Sequence, residues 1–253
     1  MEMSSYSPNV VAADLTTAVI ETKRHSSRVL KWTSFKDRYP SMNALFHSPN
    51  PSHLRVTKNS ILYHKDPNIY LVKNFLTTAE LTWLDQFCTH QEYLFRNSFT
   101  ESSNSKKLVS DERTSTFVHL LKAQDATIRR IENRAADLLG VSADVIEPLQ
   151  IVSYRNGQKF DLHHDAGTMI SESEIEIVHP RRLATLFVYL NTLPEGEGHT
   201  EFPVLGLSVQ PQAGSALLFC NVLPSGYADP RTVHRACPVH GDLQKFGLNV
   251  SYS

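Results

Sequence analysis

Apolar and polar positions in this chain follow a helical period in its first half and strand-like runs in its second. Ile69-Tyr70-Leu71-Val72 is a short unbroken apolar run of the kind a buried strand shows. Thr77-Thr78-Ala79-Glu80 has the form of a capping box, and Leu81, Leu84 and Cys88 follow at helical spacing, which predicts a helix over about residues 78–91. Residues 94–112, with Ser98, Ser102, Ser103, Asn104 and Lys106-Lys107, keep no period and read as a mobile loop. Ile128, Ile131, Ala135 and Leu138 share one face of a second predicted helix ending at Gly140. Beyond residue 148 the pattern becomes strands punctuated by Gly and Pro, at 149–155, 182–191, 215–220, 232–237 and 246–252. Helices first and strands afterwards predict an α+β domain. That many strands in about a hundred residues predict a double-sheet jelly roll with the helices as N-terminal supports.

Composition bounds this picture without changing it. With 253 residues, 41% hydrophobic and 20% charged, the chain has the make-up of a globular protein with one substantial core. The net charge of −1 offers no electrostatic case for nucleic acid as a partner. Residues 1–58 hold eight Lys/Arg against four Asp/Glu, so the basic bias is confined to them. That segment is rich in Ser and Asn and has prolines at 8, 40, 49 and 51. It reads as a partly mobile N-terminal extension, with the domain proper at 59–253. Val10 to Ile20 is interrupted by Asp14, no apolar run reaches the length of a membrane span, and no secretory leader is evident. Cys88, Cys220 and Cys237 lack a C-x-x-C spacing and read as reduced packing residues. The expected compartment is therefore cytoplasmic, with an organelle interior left open.

The candidate chemistry centres on His163-His164-Asp165 and a later His234. On an extended segment, residues two apart point the same way, so His163 and Asp165 face one metal while His164 faces away. A distant His234 completes a facial triad of two imidazoles and one carboxylate, which leaves positions open on an octahedral Fe(II), although Zn(II) also suits such donors.

The surrounding stretches give the triplet its context. They are Tyr154-Arg155-Asn156-Gly157-Gln158-Lys159-Phe160 ahead of it, Arg182-Leu183-Ala184-Thr185-Leu186-Phe187-Val188-Tyr189-Leu190-Asn191, Gly198-His199-Thr200-Glu201-Phe202-Pro203, Pro211 to Phe219, and His234-Arg235-Ala236-Cys237-Pro238-Val239. In order and approximate spacing over residues 69–253, this series resembles the prolyl 4-hydroxylase (alpha-subunit-like) family of Fe(II)/2-oxoglutarate dioxygenases. The resemblance implies a double-stranded β-helix, iron held by His163, Asp165 and His234, 2-oxoglutarate and O2 as cosubstrates, and ascorbate as reductant. It places the basic residue that grips the far carboxylate of 2-oxoglutarate at Lys245, and it places Tyr154, Thr185 and Tyr189 around the cosubstrate. Related chains carry Gly-x-Lys-Trp where this one has Gly241-Asp242-Leu243-Gln244-Lys245-Phe246, so Lys245 points inward only if the extra residues bulge out before the strand. His199 stands where relatives commonly have Glu and is assigned to a turn as a solvated histidine, while Arg113-Thr114-Ser115 resembles a segment that shapes the substrate groove.

The implied activity is hydroxylation of an unactivated C–H, and a carboxylate at 165 argues against halogenation. The implied substrate is a peptidyl proline in a peptide or protein; a free amino acid or small metabolite is the alternative. From other classes, a Zn(II) hydrolase would use the same triad with Glu201 as acid/base and would not need Lys245, and a catalytically vestigial jelly-roll binding protein would need neither. Nothing in the sequence sets the oligomeric state.

Overall fold

The computed structural model describes residues 34–49, 59–98, 100–101, 107–108, 111–166 and 182–252. Two short helices, α1 (Phe35–Arg38) and α2 (Pro40–His47), precede a hairpin of β1 (Ser60–His64) and β2 (Ile69–Val72). Helix α3 (Thr78–His90) leads through β3 (Arg96–Asn97), β4 (Thr100–Glu101), β5 (Lys107–Leu108) and β6 (Thr116–His119) to α4 (Ala126–Leu139). The remainder is β7 (Gln150–Tyr154), β8 (Phe160–His163), β9 (Ala184–Tyr189), β10 (Thr200–Phe202), β11 (Leu207–Val209), β12 (Ala216–Cys220), β13 (His234–Ala236) and β14 (Lys245–Tyr252).

An eight-stranded antiparallel sheet in the order β1-β2-β12-β9-β14-β7-β6-β3 faces a four-stranded sheet, β11-β10-β13-β8. This pairing of sheets is consistent with the expected jelly roll. The central strands of the large sheet are buried on both faces, which is why they read as unbroken apolar runs in the sequence. Alternate residues still divide cleanly. Val72, Leu186, Val188, Leu218, Leu248 and Val250 pack with the helices in one cluster, while Leu71, Tyr189, Leu217 and Phe219 meet Phe202 and Val209 of the small sheet in another.

The helices form where local chemistry asks for them. The Thr77 hydroxyl accepts from the Glu80 amide at 3.3 Å and the Glu80 carboxylate accepts from the Thr77 amide at 2.9 Å. Glu80 is buried, and Arg134 of α4 donates to both of its oxygens at 2.8 and 2.9 Å, which locks α3 to α4. Asp125 caps α4 through the amides of Thr127 and Ile128, and Gly140 closes it in the left-handed region at φ 67°. Among the described residues, no helix is long and apolar enough to cross a membrane.

Two expectations change. Residues 94–112 carry some order: β3 pairs with β6 at the sheet edge and β4 pairs with β5, because short polar strands satisfy their backbone through pairing without an apolar period. Within the expected N-terminal extension, residues 34–48 belong to the packed body. Phe35, Met42, Leu45 and Phe46 are buried in the helix-side cluster, and Tyr70 and Asn68 hydrogen-bond the Leu45 carbonyl. Residues 1–33 and 50–58 lie outside the described residues.

Candidate metal centre

Strand pairing brings the three predicted metal-type residues together. β8 and β13 run antiparallel with His234 directly opposite His163, and Asp165 follows two residues after the end of β8. The Nδ1 atoms of His163 and His234 lie 2.7 and 3.0 Å from the backbone carbonyls of Asp161 and Thr232. A carbonyl only accepts, so each Nδ1 carries a proton, and in the neutral ring the free lone pair is on Nε2. Those Nε2 atoms face Asp165, at 3.5 Å from Oδ1 for His163 and 3.8 Å from Oδ2 for His234. His164 points away as expected, with Nε2 2.8 Å from the Asp229 carbonyl and Nδ1 accepting from the Ala166 amide.

The electrostatics fit a cation. Burial opposes charge on Asp165, but His234, His163 and Arg182 outweigh it and hold the carboxyl well below its usual range. Burial, together with neighbouring His163, pushes His234 down to about 4, against the pull of Asp165. The centre therefore presents the Asp165 carboxylate and, at His234, a neutral imidazole near neutral pH, which are the forms that bind a metal.

A second layer fixes these groups. The Thr185 hydroxyl donates to Asp165 Oδ2 at 2.7 Å and accepts from the buried Asn221 amide at 3.0 Å. Thr185 lines the cavity, and its hydroxyl is committed to the Asp165 carboxylate. The Phe160 ring stacks on His163 with centroids 3.4 Å apart, and the Arg113 guanidinium lies over the other face of that stack, 4.7 Å from the Phe160 centroid. Arg182 sits at the cavity wall, paired with Glu147 at 2.8 Å. Phe160, Asn221 and Arg182 were not singled out from the sequence. The legible signal for Asn221 is an amide placed directly after the apolar run 216–220.

Lys245 opens β14 opposite Tyr154 and is fully buried. The extra residues before it turn at 240–243, with Gly241 at φ 64° and the Leu243 amide donating to the His240 carbonyl, so the inward direction survives the altered spacing. Its Nζ lies 5.3, 5.2 and 5.7 Å from the ring centroids of Tyr154, Phe187 and Tyr189 and has no hydrogen-bond partner. Burial pushes it down to about 7. Tyr154 and Phe187 also line the cavity that holds the triad. Gly247 is needed here, because a Cβ on it would come within 2.2 Å of the Phe187 ring. Tyr154 is buried and faces the cavity, whereas the Tyr189 hydroxyl is spent on Thr200 at 2.9 Å, so Tyr189 offers the cage only its ring.

Two other residues named from the sequence do not line the cavity. His199 stands between a turn and the start of β10 and is half-buried rather than fully solvated: its Nδ1 is shielded from water and has no hydrogen-bond partner. Glu201 is turned from the cavity by strand alternation and paired with Arg235, so it cannot serve the triad as the acid/base a hydrolase requires.

Comparison with known proteins gives a consistent picture. Residues 149–252 match the 2OG-Fe(II) oxygenase superfamily. "Probable prolyl 4-hydroxylase 3" of Arabidopsis thaliana is 31% identical over 193 residues, covering 69% of this chain and 65% of that protein. "Prolyl 4-hydroxylase 2" of the same plant is 28% identical over 225 residues, covering 79% of this chain and 71% of that protein. The chain thus spans just under two thirds of the length of the first of these relatives. The fold is shared with the viral collagen prolyl hydroxylase of Paramecium Bursaria Chlorella virus-1 in its 2OG complex, at TM-score 0.56 and 22% identity over 72% of this chain and 94% of that one. A Pseudomonas putida prolyl-4-hydroxylase aligns at TM-score 0.51 and 17% identity over 73% and 91%.

Proposed function

We propose that this chain, whose residues 149–252 match the 2OG-Fe(II) oxygenase superfamily, is an Fe(II)- and 2-oxoglutarate-dependent dioxygenase that hydroxylates a peptidyl proline. His163, Asp165 and His234 would hold the iron, and Lys245 would bind the far carboxylate of 2-oxoglutarate. Bound together, iron and 2-oxoglutarate supply oxidative decarboxylation of the cosubstrate coupled to oxygen insertion into an unactivated C–H bond.

The observation that carries this reading is Lys245. A fully buried ammonium with no partner is costly, and an arriving carboxylate relieves that cost by pairing with it. A zinc hydrolase has no use for such a lysine, and among the described residues Glu201, the candidate acid/base for one, does not line the cavity. The remaining work falls to the chain's own residues. Asp161 and Thr232 carbonyls set the imidazole tautomers, Thr185 and Asn221 orient Asp165, and Tyr154, Phe187 and Tyr189 keep Lys245 dry. The core reads as a double-stranded β-helix, with α3 and α4 as its supports. Three unpaired, buried cysteines support a reducing compartment such as the cytoplasm, which imaging of a tagged full chain tests.

The proline reading draws on relatives described as prolyl 4-hydroxylases. The test is anaerobic titration of the apoprotein with Fe(II) and then 2-oxoglutarate, following the visible metal-to-ligand charge-transfer band. A saturable band that is lost in His163→Ala is expected; a folded, metal-binding chain without it overturns the dioxygenase reading. With O2 admitted, a proline-rich peptide should gain the mass of one oxygen while free proline does not. The reverse result reassigns the substrate.

A further inference from the structure

The strands that build the metal centre present a second set of donors on their opposite side. Side chains alternate, so Thr200 and His234 face the cavity while Glu201 and Arg235 face outward. The pairing continues past the strand ends. The Cys237 amide donates to the His199 carbonyl at 2.9 Å, which sets His199 and Cys237 beside each other on the outer face. His199-x-Glu201 thereby repeats, facing out, the two-residue spacing of His163-x-Asp165.

An imidazole nitrogen of His199, a carboxylate oxygen of Glu201 and the sulfur of Cys237 lie within 4.8 Å of one another. Cys237 Sγ is 3.8 Å from Glu201 Oε2. Zinc bonds of about 2.3 Å to sulfur and about 2.0 Å to oxygen, at a tetrahedral angle, separate the two donors by roughly 3.5 Å. The pair therefore already stands near the spacing a shared metal imposes. His199 adds an independent sign: its Nδ1 is shielded from water and has no hydrogen-bond partner. Neighbouring groups are otherwise engaged, Lys159 with Asp161 at 2.7 Å and His240 with Glu197 at 3.1 Å. The principal opposing charge is Arg235, which pairs with Glu201; its side chain is 46% exposed, so it can swing into solvent when a cation takes the carboxylate.

We propose that His199, Glu201 and Cys237 form a second divalent-metal site, distinct from the His163/Asp165/His234 centre, for a zinc-like borderline cation with water in the fourth position. Binding releases the Cys237 thiol proton to solvent and leaves a sulfur–metal bond in its place. The ion ties β10 to β13, the strand that carries His234.

Cobalt(II) is the probe. The reduced full chain is titrated anaerobically with Co(II), following the near-ultraviolet thiolate-to-cobalt charge-transfer band, with Zn(II) as competitor and circular dichroism as the check on folding. The His163/Asp165/His234 centre holds no sulfur, so the band reports the proposed site alone. A saturable band is expected that Zn(II) bleaches, that His163→Ala retains and that Cys237→Ser abolishes. Affinity should fall at least tenfold in His199→Ala and tighten several-fold in Arg235→Gln, which frees Glu201. A folded wild-type chain with no band, a band that survives Cys237→Ser, or one that disappears in His163→Ala overturns the proposal.

Discussion

The two faces of the large sheet are made from the same strands yet are built on different principles. On the helix side, Leu186, Val188, Leu248 and Val250 are fully buried among other apolar side chains. On the cavity side, one residue along each strand, stand Thr185, Tyr189, Lys245 and Ser251, just as buried and largely polar. Stability is concentrated on the first face. The second keeps charges and hydroxyls out of water, and on it Lys245 Nζ is buried with no hydrogen-bond partner, which is how a candidate site differs from a core.

Substitutions on the two faces should separate cleanly. The largest effect on folding is expected from Leu248→Ala, which removes a fully buried side chain and should cost about 2–5 kcal/mol in urea unfolding while leaving the 2-oxoglutarate affinity of the folded chain unchanged. Lys245→Met should give the mirror image. Loss of the buried charge partner should weaken 2-oxoglutarate binding by about 2–5 kcal/mol, iron binding should persist, and the apoprotein should be no less stable than wild type. An unchanged 2-oxoglutarate titration in that variant would end the anchor assignment. A smaller effect, roughly 10–100-fold in iron affinity, is expected from Thr185→Val, because Asp165 loses the hydroxyl that orients it; equilibrium dialysis measures it.

The gentlest way to probe the same contrast is pH. Lys245 stands at about 7 in the folded apoprotein. A bound carboxylate favours the charged form, so binding takes up a proton above that pH, and 2-oxoglutarate affinity should fall as pH rises beyond about 7, by at most about tenfold per unit. In the apoprotein the sign runs the other way. The unfolded lysine, near 10.4, binds more protons than the folded one between about 7 and 10, so this residue's contribution to stability increases with pH across that window. Both slopes should disappear in Lys245→Met.

Much of this was legible along the chain. Thr77 and Glu80 announce α3, Gly140 closes α4, and the alternation in His163-His164-Asp165 separates one outward histidine from two inward donors, because these outcomes depend on residues a few positions apart. Other features were hidden for the opposite reason. Nothing local says that Tyr189 spends its hydroxyl on Thr200, that Phe160 is sandwiched between Arg113 and His163, or that Phe35 and Phe46 bury themselves against the domain. The half-burial of His199 is hidden likewise, since Cys237, whose amide meets the His199 carbonyl, lies far along the chain.

The sequence by itself determined the elements, the face each donor takes on its strand, and the chemical types available to bind a metal and a carboxylate, since capping, periodicity and side-chain chemistry act over one or two turns or strand repeats. Only the tertiary structure decided the rest. The antiparallel pairing of β8 with β13 sets His234 opposite His163, and the turn at 240–243 absorbs the extra residues so that Lys245 enters its strand facing inward. Those outcomes depend on which strands meet and in what register, and register is settled by the burial of whole faces rather than by any residue alone.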